Sequence, residues 1–166
     1  DFYDEGLQPG GEGYGQYGIR YFEPQATLFD YYKSKGMNLF RVPFLWERLQ
    51  RSLYAPLNPD DVMHLMNIAN EAQARGVHIY FAAHDYGGYW DQTAGQVRYT
   101  IGDTNCPYAA FADFWGKMAV QFQGNQAVWG YCLMVEPQSM AVNGKSSIQN
   151  WFSAAQAAIN AIRAVD

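Results

Sequence analysis

Two kinds of apolar pattern alternate along this chain, and their alternation predicts helices separated by short strands. Apolar residues at helical spacing predict helices over about residues 23–34, 59–75, 107–122 and 148–162. Continuous apolar and aromatic runs predict strands over 37–42, 77–83 and 128–134. A glycine placed to end a helix precedes each strand, at Gly36, Gly76 and Gly124. The chain is therefore a repeated helix–strand unit.

Two of the predicted helices carry an apolar stripe that we expect to face the core. In the first helix the stripe is formed by Leu28, Tyr31 and Tyr32. The last helix is predicted to start at a capping serine, Ser146 or Ser147. Its stripe consists of Ile148, Trp151, Phe152, Ala155, Ile159 and Ile162.

The order of the elements predicts an α/β fold built on a parallel sheet that is buried on both faces. The three predicted strands end near Arg41, near His84 and near Glu136. The carboxyl ends of parallel strands lie at one edge of the sheet, which is where α/β folds bind their ligands. We therefore expect these three side chains to share a site.

Glu136 follows an apolar strand at once, and Pro137 then ends the strand because it has no N–H to donate. A carboxylate at the end of a buried strand must be paired or must change its pKa. With a raised pKa, Glu136 can act as a proton donor, and Arg41 can orient and charge-stabilise a carboxylate. The alternative is a structural cluster of ion pairs at the mouth of the sheet.

The segment from Gly87 to Thr104 is predicted to be a long polar loop, and loops of this length are usually functional. Tyr86, Tyr89 and Trp90 lie near its start and favour stacking on sugar rings. The alternative is that this loop packs on itself. Residues 46–50 are predicted to form a short turn of helix within another loop.

Composition narrows the choice of partner. The chain has 166 residues, which indicates one domain over residues 1–166, and its aromatic content is 17%. A net charge of −5 argues against nucleic acid as a partner. No apolar run reaches the roughly 20 residues that a membrane-spanning helix needs, and no membrane partner is expected.

No cofactor is expected, because the sequence contains no phosphate-binding loop and no dinucleotide-binding fingerprint. A metal site is not expected either, since His84 has no second histidine nearby and His64 lies in a helix. Cys106 and Cys132 form a disulfide only if the loop before the third helix folds over the following strand. The alternative is that Cys132 is a small buried apolar residue.

Three segments resemble a known enzyme family. Residues 37–50, Met-Asn-Leu-Phe-Arg-Val-Pro-Phe-Leu-Trp-Glu-Arg-Leu-Gln, are similar to the second-strand segment of family 5 glycoside hydrolases, fungal endoglucanases in particular. His84-Asp85-Tyr86 is similar to the family's His-Asn-Tyr after the third strand. Val135-Glu136-Pro137 is similar to its Asn-Glu-Pro after the fourth. Residues 111–115 and 156–163 also match, so the resemblance covers about residues 20–163.

The resemblance implies a (βα)8 barrel that cleaves cellulose or a related β-1,4-glucan with retention of the anomeric configuration. It implies that Glu136 is the proton donor and that the nucleophile is a second glutamate after the seventh strand. Arg41 resembles the arginine that steadies the nucleophile, and His84 the histidine that lines a sugar subsite. Six residues are further expected to bind substrate. Trp46, Asp85, Tyr86 and Val135 lie in the three motifs, and Tyr89 and Trp90 lie just after the second motif.

The chain departs from the family pattern in three ways. Val135 replaces an asparagine that holds the substrate 2-hydroxyl, and Asp85 replaces an asparagine and would raise the pKa of Glu136 if the two were close. Only three strands are predicted, so the nucleophile and a closed barrel are missing. We expect a homo-oligomer, a missing second half of the barrel in a longer protein, or an inactive glucan-binding or self-assembling descendant. The composition and the family both favour a secreted, extracellular protein.

Overall fold

The structure is a computed structural model that describes residues 17–18, 22–95 and 97–166. Within these residues, helices and strands alternate as the sequence predicts, with one added hairpin. In chain order they are α1 (Ala26–Ser34), β1 (Leu39–Phe44), α2 (Trp46–Leu49), α3 (Pro59–Ala74), β2 (His78–Ala83), β3 (Gly88–Asp91), β4 (Val97–Thr100), α4 (Tyr108–Phe122), β5 (Val128–Cys132) and α5 (Ser147–Arg163).

The main sheet has three parallel strands in the order β1-β2-β5. In its register Arg41 lies opposite Tyr80, and Phe81 lies opposite Tyr131. The predicted α/β class with a parallel sheet is therefore confirmed. The three strand exits, meaning the carboxyl end of each strand with the residues after it, lie at one edge.

Local chemistry explains where the helices begin and end. The Asn58 side chain accepts a hydrogen bond from the Asp61 N–H at 3.1 Å and so caps α3. Ser146 and Gln149 form a capping box at the start of α5. Gly36 and Gly76 end the helices before β1 and β2 with φ angles of +85° and +61°, which favour glycine.

The core lies between the sheet and the helices and is rich in aromatic rings. The Phe44 ring centroid is 5.8 Å from that of Phe114 and 5.9 Å from that of Trp115. Phe81 packs against Phe122 of α4, with ring centroids 4.5 Å apart. These strand residues face the helices, so their neighbours along the strand, such as Arg41, face the opposite side of the sheet.

The strand predicted to end before Pro43 continues through Phe44. Within the described residues β1 is an edge strand, because only one of its two edges pairs with another strand. That strand is β2, in which Ala82 lies opposite Pro43. Proline is tolerated at a sheet edge because its missing N–H leaves no partner strand without a donor.

The prediction of an unstructured loop over residues 87–104 was wrong, because β3 and β4 form an antiparallel hairpin there. Tyr89 pairs with Tyr99, and Trp90 pairs with Arg98. Aromatic and β-branched residues on both sides of a glycine-containing turn are a hairpin signal that the sequence does contain.

The predicted buried faces of α1 and α5 need correction. Phe29 is the buried residue of α1, whereas Leu28 and Tyr31 are 42% and 57% exposed. In α5 the small residues Ala154 and Ala158 are buried against the core. Small side chains let α5 approach α4 closely. Of the predicted stripe, Trp151 and Ile162 pack against the core, whereas Ile148, Phe152 and Ile159 are exposed.

The outer side of α5 and β5 is open. Ile148 and Phe152 are 70% and 68% exposed, and Trp129 of β5 is 63% exposed. β5, predicted to be buried on both faces, is thus an edge strand with one uncovered side in the described residues.

Two further findings concern the cysteines and the helices. Cys106 and Cys132 are both free thiols. None of the helices in the described residues has the length and apolar character that a membrane span needs.

Candidate active site at the strand exits

Main-chain hydrogen bonds join the three strand exits into one surface. The His84 N–H donates to the Phe44 carbonyl at 2.9 Å, which joins the exits of β1 and β2. The Val135 N–H donates to the Ala83 carbonyl at 2.7 Å, which joins the exits of β2 and β5. The segments that carry the three candidate residues are therefore fixed to each other by the backbone.

Glu136 lies at the β5 exit and is exposed to solvent. It is flanked by two hydrogen bonds to the β2 exit, one from Val135 and one from the Gln138 N–H to the Tyr86 carbonyl at 3.3 Å. The φ angles of Glu136 and Tyr86 are +47° and +51°. Residues other than glycine rarely adopt positive φ angles, and such backbone strain concentrates at functional sites.

Arg41 and His84 are the other two residues expected at the site. Arg41 is exposed on β1, on the face of the sheet opposite the aromatic core. His84 is half-buried, and its ring meets the Tyr86 ring edge-on with centroids 5.2 Å apart. His84 follows β2 directly and lies at its exit. Arg41 was expected at the end of its strand but lies within β1, because that strand continues through Phe44.

Two of the expected sugar-binding aromatics are in the core. Trp46 and Tyr89 are 0% and 1% exposed, with ring centroids 4.9 Å apart. The Trp46 indole donates to the Gln50 side chain at 3.0 Å, and the Tyr89 hydroxyl donates to the Gln50 carbonyl at 2.9 Å. A ring without exposed surface cannot stack on a sugar, so Tyr89 is a core residue that packs against the segment of Trp46 and Gln50 and not against its own loop.

Tyr86, Trp90 and Val135 are half-buried, which leaves part of each side chain open to solvent. Tyr86 and Trp90 therefore remain the candidates for sugar stacking. Val135 has no hydrogen-bonding side chain, and its N–H is used by the Ala83 carbonyl.

Asp85 is not at the surface, which corrects the expectation that it binds substrate and acts on Glu136. It is 2% exposed, and its Oδ2 accepts a hydrogen bond from the Trp46 N–H at 3.0 Å. Burial raises the pKa of Asp85 to about 6, although the Trp46 N–H, the Glu47 side chain and the Arg98 guanidinium oppose the shift. The carboxyl that Asp85 faces is Glu47.

Glu47 is a buried carboxyl that the sequence reading did not single out. It is 0% exposed, and burial raises its pKa well above the ordinary value, with the nearby Asp85 charge as the second cause. A glutamate three residues after the end of β1, in the predicted short turn of helix, was the signal that could have found it.

Comparison with known proteins identifies the relatives of this site. The sequence profile of cellulase, glycosyl hydrolase family 5, matches residues 7–166. Endoglucanase 1 of Robillarda sp. is 31% identical over 165 residues, which is 92% of this chain and 40% of that protein.

Solved structures agree. The endoglucanase Cel5A of Pseudomonas stutzeri in complex with cellobiose is 38% identical over 92% of this chain and 42% of that chain, with a TM-score of 0.79. XacCel5A in complex with cellopentaose is 33% identical over 91% of this chain and 44% of that chain, with a TM-score of 0.77.

The chain spans less than half the length of each of these relatives, and about a third of other curated relatives. The similarity confirms the predicted fold, because the three parallel strands with their helices superpose on part of the family's barrel. With the family profile matched over nearly the whole chain, this protein belongs to the cellulases of glycosyl hydrolase family 5.

Proposed function

We propose that this chain is the acid/base part of a retaining endo-β-1,4-glucanase that acts on cellulose or a related β-glucan. The observation that supports this most directly is Glu136, an exposed carboxyl at the β5 exit with a φ angle of +47°. Hydrogen bonds on both sides tie its segment to the β2 exit. Two similar structures hold cellobiose and cellopentaose, which makes a glucan chain the substrate to test first.

In this proposal Glu136 donates its proton to the glycosidic oxygen as the bond to the anomeric carbon breaks. A second glutamate attacks the anomeric carbon and forms a covalent glycosyl intermediate, about 5 Å from the acid in retaining enzymes. Glu136 then takes a proton from the water that displaces the second glutamate. The second glutamate comes from a further strand exit outside these 166 residues, in the same protein or in a partner chain.

The other residues of the site orient the reactants. Arg41 is exposed on the face of the sheet that looks away from the core, where its guanidinium can hold the second glutamate ionised. The partly exposed rings of His84, Tyr86 and Trp90 offer flat and polar surface to sugar rings. Val135 cannot hold the substrate 2-hydroxyl, so we expect a lower kcat than an asparagine at this position would give, by about 10- to 1000-fold.

The test is hydrolysis of soluble glucans by the full-length protein and its Glu136→Gln variant. Loss of a positioned general acid lowers kcat on unactivated substrates by about 10²- to 10⁴-fold. The same variant should keep most of its first-step rate on an aryl β-cellobioside with a strongly acidic phenol, since that leaving group needs no proton. Added azide should restore turnover of that substrate by replacing water in the second step.

A matched control is Glu71→Gln, because Glu71 is an exposed glutamate of α3 that pairs with Arg75 far from the strand exits. We expect its kinetics to match those of the parent protein. If Glu136→Gln lowers the first-step rate equally on activated and unactivated substrates, Glu136 is not the proton donor.

A second candidate is an inactive glucan-binding or self-assembling protein of the same family. It is favoured by the exposed apolar side of α5 and β5, which offers a surface for a further copy, and by Val135. An absence of hydrolysis, together with an oligomer by sedimentation, would decide for this candidate.

We also propose an extracellular location, because polymeric glucan is found outside the cell. Detection of the protein in washed-cell lysate but not in the culture medium would count against it.

A further inference from the structure

The β2 exit carries a buried pair of carboxyl groups that the proposed chemistry does not use. Glu47 and Asp85 are 0% and 2% exposed, and Asp85 accepts the N–H of Trp46, the residue directly before Glu47. The Asp85 charge is one of the causes that raise the pKa of Glu47. Two ionised carboxylates in one buried site repel each other strongly. We therefore expect one of the two to carry a proton.

The surroundings determine which carboxyl holds the proton. Asp85 accepts the Trp46 N–H at 3.0 Å, an interaction that favours its ionised form. Within the described residues, neither side-chain oxygen of Glu47 meets a well-placed N–H or O–H donor. Glu47 is therefore the protonated member.

Arg98 of β4 completes the group. Its Nη2 donates to the carbonyls of Asp85 and Tyr86, at 3.1 and 3.0 Å. Gly88 makes room for it, since a Cβ at Gly88 would lie 2.5 Å from the Arg98 guanidinium carbon. With one shared proton, the pair carries a single negative charge that Arg98 can balance.

Other titratable groups face the pair from the loop before α4. Cys106 is buried, and burial raises the pKa of its thiol far above the ordinary value, with Asp103 as the second cause. A protonated thiol adds no charge. The side chain of Asp103 accepts the Asn105 and Cys106 N–H groups, so it is held by its own loop. Arg98 is thus the cation placed against the pair by the hairpin.

The group touches each segment that carries a candidate site residue. Asp85 lies between His84 and Tyr86 in the chain, and its side chain anchors them to the start of α2. The Tyr86 carbonyl accepts both the Arg98 guanidinium and the Gln138 N–H, two residues beyond Glu136. A change in the pair therefore reaches the exits of all three strands.

We propose that Glu47 and Asp85 share one proton and that this pair, together with Arg98, positions the β2 exit for the reaction at Glu136. The role in the reaction rests on the proposed function, whereas the shared proton does not. Loss of the proton places two like charges in a buried site, which drives the carboxyls apart. The β2 exit then separates from α2 and the candidate site loses its geometry.

The first test is infrared spectroscopy of the full-length protein with its Glu47→Gln variant. The parent protein should show the carbonyl band of a protonated carboxyl near neutral pH, where exposed carboxyls are ionised. Glutamine supplies an N–H to Asp85 in place of the shared proton, so the band should disappear while the fold remains. Absence of the band in the parent protein, or its persistence in this variant and in Asp85→Asn, would overturn the proposal.

The second test is the pH dependence of Tm. Raised carboxyl pKa values mean that the folded state holds more protons than the unfolded chain. Stability therefore falls as pH rises above the ordinary pKa values of 3.8 and 4.5 for Asp and Glu, and it levels off above the raised pKa values. Between about pH 5 and about pH 8, Glu47→Gln should reduce this fall in Tm by about 3 °C or more. An unchanged fall would contradict the shared proton.

The control is Asp91→Asn, in the same hairpin. Asp91 accepts the N–H groups of Thr93 and Ala94, contacts that asparagine can also make. We expect the infrared band and the pH dependence of Tm to stay as in the parent protein. These spectroscopic and thermal results do not depend on hydrolysis, so they separate a failure of this inference from a failure of the proposed function.

The positioning role is tested by kinetics. In Glu47→Gln the alkaline fall of kcat/KM should move to higher pH by about one unit, because the pair no longer loses a proton. Arg98→Met keeps the aliphatic stem but removes both hydrogen bonds, and it should lower kcat by about 10-fold or more through misplacement of the site. An active protein in which neither variant changes the profile or kcat would show that the group is structural only.

Discussion

The β1 and β2 exits and the outer side of β5 and α5 differ in how far their side chains are covered. At the exits, Trp46 is 0% exposed and uses its indole N–H within the chain. On the outer side, Trp129 is 63% exposed, and Ile159 of α5, which lines the same open groove, is 42% exposed. The first region is completed by residues of this chain, whereas the second presents an apolar surface. Similar composition thus has opposite structural roles.

The largest effect that we expect from this contrast is a difference between the two tryptophans. Trp46→Ala should lower the free energy of unfolding by about 3–5 kcal/mol, because it leaves a cavity among Tyr89, Phe111 and Phe114. Denaturant unfolding measures the change. Trp129→Ala is the matched control and should cost under about 1 kcal/mol, since most of its surface is already in water. Equal losses in the two variants would mean that β5 is covered in solution.

A second difference concerns two asparagines of α5. Asn150 is buried, and its Nδ2 donates to the carbonyls of Ile101 and Met140 at 2.6 and 2.8 Å. Asn150→Ala leaves both carbonyls without this donor and should cost about 2–3 kcal/mol of unfolding free energy.

Asn160→Ala is the control for this change, because Asn160 is exposed on the same helix. We expect its thermal unfolding to stay within about 0.5 kcal/mol of the parent protein, since alanine has the higher helix propensity. A loss at position 160 as large as at position 150 would show that the two buried hydrogen bonds of Asn150 do not set the cost.

These two predictions show what could be read from the sequence and what could not. The element order followed from local signals that act within a few residues, such as Asn58 before Pro59 and the glycines after the helices. The parallel sheet followed from that order. The choice of buried face on α5 did not, because Ala154 and Ala158 pack only where α4 comes close enough, and periodicity does not contain that distance.

The candidate site divides in the same way. Glu136 and His84 could be placed at strand exits because the parallel sheet puts all exits at one edge, whereas Arg41 lies three residues before the end of β1. The pairing of Glu47 with Asp85 could not be found, because the two lie 38 positions apart and the contact depends on how α2 folds back on the β2 exit. Asp85 was therefore assigned to the surface, although the Trp46 N–H holds it in the interior.

A smaller effect is expected at the start of α5, where a capping box forms the first turn of the helix. The Ser146 side chain accepts the Gln149 N–H, and the Gln149 side chain accepts the Ser146 N–H. Ser146→Ala should cost about 1 kcal/mol of unfolding free energy. Ser153→Ala, a change within the helix, should stay within about 0.5 kcal/mol in the same denaturant series. A neutral result at position 146 would show that this end of α5 frays.

The smallest change in stability is expected on the open side itself. Phe152 is 68% exposed, and Ile148 one turn before it is 70% exposed. Phe152→Gln should change the free energy of unfolding by no more than about 0.5 kcal/mol, because the ring gains little from the fold. Its effect should instead appear in association, since removing a large ring from an exposed apolar patch weakens contacts between copies.

Sedimentation at rising protein concentration measures that association, with Gln156→Ala on the same helix as a polar control. Weaker self-association in Phe152→Gln at unchanged stability would confirm that this side of α5 is exposed to solvent and mediates contacts between copies of the chain. A loss of stability above about 1.5 kcal/mol would mean instead that Phe152 is buried in solution, as expected if a further strand–helix unit covers α5 and extends the sheet beyond β5. The difference between the two regions would then reflect the share of the barrel that these residues form, and the second glutamate should be sought on a strand beyond the covering unit.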